Sequence, residues 1–236
     1  VSVRRPTQTP PMIEIVCATR LDESAFHARS LLGRSLQRLK FDLRLIPRIA
    51  YSNARGLPEI YNERIDDAAA PAGNLLAFVH DDVWIDDFLF GDRLQSAAAT
   101  YDLIGVAGNR RRLPGQPGWV FANDRWTIDR DHLSGAIAHG EPGAGPVSYY
   151  GPAPASCELL DGVLLVARRS TLRDNGVRFD PGFAFHFYDL DLCRAARGRG
   201  LKVGTWPICI THASPGTYDS PLWREARRRY REKWGD

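Results

Sequence analysis

The chain has 236 residues, 44% of them hydrophobic, which is enough apolar material for a substantial core and too much for a disordered chain. Lys and Arg number 31 against 28 Asp and Glu, a formal charge of +3, so bulk charge gives no nucleic-acid-binding surface, and much of the excess sits in REARRRYREK near the C-terminus. Four scattered cysteines form no CxxC pair and no apolar run approaches the ~20 residues of a membrane span, so a soluble, cytoplasmic protein with reduced and buried thiols is expected.

Met12 is the only methionine and directly precedes the first strand-like run; residues 1–11 are read as an N-terminal extension outside the fold. MIEIVCAT (12–19) has the continuous apolar, β-branched character of a strand buried on both faces. SAFHARSLLGRSLQRL (24–39) places Phe26, Leu31, Leu32, Leu36 and Leu39 at helical spacing. FDLRLIPRIA (41–50) is a strand candidate in which Pro47 must fall at an end or on an edge. A helix over 57–69, a strand over 74–80, a helix over 87–101 and a strand over 102–108 follow. From Gly108 to Cys157 glycine, proline and aromatic residues replace the periodic pattern, which predicts long functional loops. Regular patterning resumes in ELLDGVLLVARRSTL (158–172), in FDPGFAFHFYDLDLCRAARGRGLKVG (179–204) and in TWPICITH (205–212). PLWREARRRYREKW (221–234) then reads as an amphipathic helix with Trp223, Ala226, Tyr230 and Trp234 on one face. Strands alternating with helices predict one α/β domain over 12–236, with a mostly parallel central sheet and helices on both faces.

In such a sheet, ligands bind outside the carboxyl ends of the strands. His80, Asp81 and Asp82 occupy that position after the strand NLLAFVH. Adjacent carboxylates repel unless a cation neutralises them, and an oxygen-rich site suits Mg²⁺ or Mn²⁺ with coordination positions left for phosphate oxygens. The competing reading is that Asp81 and Asp82 cap a helix beginning near Trp84. Asp86 and Asp87 read as decoration of that helix's first turn.

YNERIDDAAAPAGNLLAFVHDDVW (61–84) and FDPGFAFHFYDLDLCRAARGRGLKVG resemble segments of the glycosyltransferase family 2-like enzymes of GT-A fold, and the resemblance extends over residues 12–212. It implies a Rossmann-like GT-A domain, with a nucleotide-binding half over 12–108 and an acceptor-side half over 109–236. It also implies a metal-dependent transfer, with inversion, of a sugar from a nucleotide diphosphate, a UDP-sugar, to a glycan or other hydroxyl acceptor. HDD stands at the family's DxD motif: His80 replaces its first aspartate, Asp81 is the middle residue that faces the donor, and Asp82 matches the metal ligand. Asp189 takes the place of the catalytic base, Tyr188 stands where the family carries a glutamate, and Asp191 and Arg194 match downstream positions. His212 matches a histidine that completes the metal or diphosphate site.

The same resemblance assigns Ala18, Thr19 and Arg20, and the facing Asn53 and Arg55, to the nucleotide, and Asp161 to a donor or acceptor hydroxyl. Trp119, Tyr150, His186 and Tyr188 are acceptor-side candidates, with Trp126 and Tyr149 in the same aromatic-rich region. Each has a plainer reading: Asp189 and Asp191 as an acidic helix start, Asp161 as a turn residue before glycine, Arg55 as a loop charge, the aromatics as loop anchors. The C-terminal helix either docks on the domain or lies on an anionic membrane surface. Two rival functions remain at this level. A sugar-nucleotide nucleotidyltransferase lacks its glycine-rich loop here, because CATRLDES (17–24) contains no glycine. A noncatalytic glycan- or nucleotide-binding module is suggested by His80 and Tyr188 standing where acids are expected.

Overall fold

The computed structural model describes residues 11–214 and 216–236; apart from Pro11, the N-terminal extension lies outside the described residues. In chain order the strands are β1 (Ile13–Ala18), β2 (Leu45–Ala50), β3 (Leu75–Val79), β4 (Val83–Ile85), β5 (Leu103–Gly105), β6 (Ala107–Asn109), β7 (Leu133–His139), β8 (Val147–Gly151), β9 (Ala155–Ser156), β10 (Leu159–Leu160), β11 (Leu164–Arg168), β12 (Val203–Thr205) and β13 (Ile210–His212). The helices are α1 (Glu23–Arg29), α2 (Leu31–Arg38), α3 (Leu57–Asp66), α4 (Phe90–Ala97), α5 (Arg169–Asp174), α6 (Tyr188–Gly198) and α7 (Pro221–Trp234).

A seven-stranded sheet has the order β2-β1-β3-β11-β5-β12-β9. Its inner strands β1 and β3 are buried almost throughout, and β2, with Pro47 inside it, is the edge strand that proline requires. The sheet is mixed rather than mostly parallel. β1 pairs parallel with β2 and β3, and β5 with β12, but β11 runs antiparallel between β3 and β5 and β9 antiparallel to β12. No crossover helix delivers the chain to β11; it arrives through the short strand β10 and a turn, so it enters reversed. An apolar run such as LLVAR fits a buried position in either direction, and periodicity does not encode which.

A second sheet has the order β10-β6-β7-β13-β4, with β8 paired to β7. The strand predicted over 102–108 is two strands, β5 and β6, which part at Val106 and join different sheets. Part of the predicted irregular region is the antiparallel β7–β8 pair, with a register shift at Gly135. Gly135 has φ +98°, and a Cβ there would press on Val106 O, so the backbone approach needs glycine. The helix expected over 24–39 is broken at Ser30. That residue is extended, and its hydroxyl donates to Phe26 O at 2.8 Å and accepts from Gly33 N at 2.9 Å, ending α1 and capping α2.

α7 docks through Trp223 and Tyr230, both buried, against Phe187 at the start of α6. Lys233 Nζ and Trp234 Nε1 hold the Asp191 carboxylate at 2.7 and 2.8 Å. The apolar face that a membrane contact requires therefore covers α6. No described helix is long and apolar enough to cross a membrane. Cys17, Cys157 and Cys193 are buried free thiols as expected, whereas Cys209 is exposed, because it lies in the irregular stretch between β12 and β13.

Candidate functional site

Parallel pairing brings the carboxyl ends of β1, β2 and β3 to one edge, with Ala18 opposite Ala50 and His80 following β3 directly. Asp81 and Asp82 form the turn into β4. Residues 83–85 are strand, so the helix-cap reading of the aspartate pair does not hold. The two carboxylates take different roles. Asp81 Oδ2 accepts from the buried Thr19 hydroxyl at 2.5 Å, and Thr19 O accepts from Asn53 N at 2.8 Å, which knits together the three loops at this edge.

Asp82 turns instead toward β13. β13 pairs antiparallel with β4, His212 opposite Val83, and parallel with β7, His212 opposite His139. This register sets His212 Nε2 3.3 Å from Asp82 Oδ1. His80, Asp82 and His212 each offer a ligand atom within 4.8 Å of the others. Donor atoms around one divalent ion, at ligand distances of ~2.0–2.2 Å, lie ~3–4 Å apart, so small side-chain adjustments convert this group into three ligands, and the residues present fit a metal. Burial opposes ionisation of Asp82, but its hydrogen bond with His212, that imidazole's charge, Ser214 and His80 together hold the carboxyl well below its usual range. Burial pushes the His80 imidazole down, toward the neutral form that ligates. His80 was not singled out as a ligand from the sequence. The signal was its place directly after a buried strand, beside the aspartate pair; the turn over His80–Val83, closed by Val83 N donating to His80 O, then brings His80 and Asp82 near each other.

His80 Nε2 lies 2.8 Å from the Tyr188 hydroxyl, which donates to Gly162 O at 2.7 Å. Tyr188 is 2% exposed. On the following residue, Asp189, the carboxylate accepts from Gly162 N and Leu190 N, both at 2.9 Å. Burial, reinforced by the charge of Asp161, raises the Asp189 carboxyl to about 7 despite these backbone donors. Asp161 accepts from Trp119 Nε1 and Val163 N, each at 2.9 Å. The residue before α6, Phe187, has φ +66°, a conformation that a bulky side chain rarely adopts and that costs ~1–3 kcal/mol. Its ring is packed between Trp223 and Tyr230, so α7 supports the strained entry to α6.

These groups line one cleft of about 230 Å³, which includes His80, His139, Asp161, Tyr188, Asp189 and His212. Of the acceptor-side candidates, Trp119, Tyr150, His186 and Tyr188 all line it. Trp119 is 5% exposed and meets Tyr150 edge to face at 4.9 Å, so its ring forms floor rather than an open stacking surface. His186 is half-buried at the rim. Trp126 meets Phe121 and Tyr218 edge to face and Trp223 at a tilt, anchoring its loop to α7, and Tyr149 is 71% exposed away from the cleft. The nucleotide-side candidates lie outside the cleft lining, at the edge described above. Arg20 is exposed, Asn53 closes a local turn with the backbone of Arg55, and the Arg55 guanidinium pairs with Glu63 at 2.5 Å. His139, brought in by β7, was not anticipated; it falls in the segment whose pattern reads as loop.

No protein-family model and no curated protein matches the sequence. Among solved structures, GalNAc-T7 with UDP, GalNAc and Mn²⁺ superposes with a TM-score of 0.51 over 93% of this chain and 47% of that one, at 10% identity. The chain thus spans about half the length of that protein. A197 from STIV (TM-score 0.48, 8% identity, 83% of this chain and 82% of that one) and S. aureus TarS 1-349 (TM-score 0.47, 14% identity, 86% and 61%) are weaker likenesses and carry no weight. At such identity the likeness speaks for the fold alone: a single α/β domain of mixed sheets flanked by helices, broadly GT-A-like.

Proposed function

We propose that this chain is a metal-dependent glycosyltransferase that moves a sugar from a nucleoside diphosphate, taken as UDP, to an acceptor hydroxyl with inversion. The observation that carries this reading is one cleft lined both by His80 and His212, which group with Asp82 behind them, and by a carboxyl, Asp189, poised at about 7. A general base works best with a pKa near the working pH, where it is substantially ionised and still holds a proton well. Asp189 takes the acceptor's proton as its oxygen attacks the anomeric carbon. Asp161, fixed by Trp119 and the Val163 amide, hydrogen-bonds sugar hydroxyls through its remaining lone pairs. His80, Asp82 and His212 hold the ion, which when bound offsets the negative charge that develops on the departing diphosphate. Two imidazoles and one carboxylate suit Mn²⁺ better than Mg²⁺, which prefers an all-oxygen shell. The cleft, smaller than the ~300–1,000 Å³ of drug-sized ligand sites, suits the sugar, and the nucleotide lies along the β1–β3 edge near Thr19 and Asn53.

The test is calorimetry of UDP with and without Mn²⁺, followed by UDP release from UDP-GalNAc and other UDP-sugars. UDP-GalNAc is the first probe because GalNAc-T7 was solved with UDP and GalNAc. Metal-dependent UDP binding with turnover supports the proposal. Binding without hydrolysis or transfer reduces the protein to a nucleotide- or glycan-binding module. Pyrophosphate release from a nucleoside triphosphate and a sugar phosphate supports the nucleotidyltransferase instead. Failure to bind any nucleotide rejects the transferase, the nucleotidyltransferase and a nucleotide-binding module together.

A further inference from the structure

Two residues depart from the glycosyltransferase pattern, His80 where an aspartate is expected and Tyr188 where a glutamate is expected. They are 108 positions apart in sequence and 2.8 Å apart in the fold. Considered singly, each is a defect in an acidic site. Their contact gives them one joint role, and it rests on the reading above that His80, Asp82 and His212 hold a cation.

A carbonyl oxygen can only accept, so the single proton of the Tyr188 hydroxyl goes to Gly162 O, 2.7 Å away. The phenolic oxygen then faces His80 Nε2 with a lone pair, and the imidazole must bring the proton to that contact. A neutral imidazole protonated at Nε2 carries its lone pair on Nδ1, for which no hydrogen-bond partner is found among the described residues. Metal-bound histidines are set in this way, the far nitrogen donating to an oxygen that fixes tautomer and ring orientation. Packing fixes the rest: the Tyr188 ring lies against Tyr61 and Phe179, centroids 6.1 and 5.9 Å away, and the His80 ring stacks on Phe185 at 5.6 Å. Gly162 is part of the device, since a Cβ there would clash with the Tyr188 hydroxyl and displace it. We propose that Tyr188 is the positioning residue of the metal group: held by Gly162 O, its hydroxyl keeps His80 as the Nε2–H tautomer and assigns Nδ1 as the nitrogen given to a divalent cation shared with Asp82 and His212.

The test is calorimetric titration of the full chain with Mn²⁺, without nucleotide, in the parent, Tyr188→Phe, His80→Ala and the double variant. Tyr188→Phe keeps the ring and removes the hydroxyl, and should weaken Mn²⁺ binding ~10–100-fold; in the His80→Ala background the same change should have no effect. Equal losses in both backgrounds, an unchanged affinity, or tighter binding in Tyr188→Phe, as expected if Nε2 were the ligand and the tyrosine its competitor, each overturn the proposal. A parent that binds no Mn²⁺ overturns the metal reading itself, whereas a parent that binds with an indifferent Tyr188→Phe overturns only the role of Tyr188. Nitrogen-15 shifts of His80 in the metal-free parent give an answer that needs no variant: the Nε2–H tautomer is expected, and the Nδ1–H tautomer overturns the inference.

Discussion

Replacing Asp189 by asparagine separates its role as a base from its role in the fold. The folded carboxyl keeps its proton to about 7, whereas an unfolded aspartate loses it near ~3.9. Between these values the folded state binds more protons than the unfolded one, so stability falls as pH rises through the window and levels off above 7. From about pH 5.5 to about pH 8.5 the fall covers roughly 1.5 units below the folded pKa at about 1.4 kcal/mol each, or about 2 kcal/mol. Asparagine cannot ionise, and its amide still accepts from one of the two backbone donors, Gly162 N or Leu190 N. Urea unfolding of both proteins at the two pH values should therefore show Asp189→Asn gaining about 2 kcal/mol on the parent as pH rises. UDP affinity should be unchanged, and transfer should fall by at least ~100-fold. If the stability difference between the proteins is the same at both pH values, the carboxyl is not shifted. If UDP affinity falls with turnover, Asp189 is a binding or structural acid and not the base.

Asp82→Ala should abolish metal-dependent UDP binding, because the cation loses its only carboxylate among His80, Asp82 and His212; calorimetry showing the parent's metal dependence refutes the assignment. Asp161→Asn removes the charge that helps raise Asp189 and should move the acid limb of the kcat/KM profile to lower pH, while an unmoved limb leaves burial as the whole cause. Arg169→Met strips the partner, 2.8 Å away, from Glu14; both side chains are buried, at 0% and 1% exposure. The buried carboxylate, left with Asn74 Nδ2 at 2.8 Å and Arg48 Nε at 3.7 Å, should cost about 3 kcal/mol in urea unfolding, and a loss below about 1 kcal/mol would show that these two suffice to hold it.

Local chemistry made much of this molecule readable in one dimension. The short apolar runs IEIVCA and LLAFV, each followed by polar residues, read as buried strands, and Pro47 allows β2 only an edge. The amphipathic face of α7 requires a partner surface, and a His-Asp-Asp step at the end of a buried strand marks the ligand-binding edge. Strand direction was not readable, because burial imprints apolarity without polarity of the chain; hence β11 runs against its neighbours. Nor was the break at Ser30, where a hydroxyl bridging Phe26 O and Gly33 N overrides an otherwise helical period. The identity of Asp82 is written in the sequence, but its partners are not. His212 reaches it only because β13 pairs with β4 in one register, and His80 faces Tyr188 only because α6 returns beside Gly162. Sequence fixed which residues could carry charge, protons or a metal; long-range pairing decided which of them meet, since contacts between residues more than a hundred positions apart leave no periodicity in either segment alone.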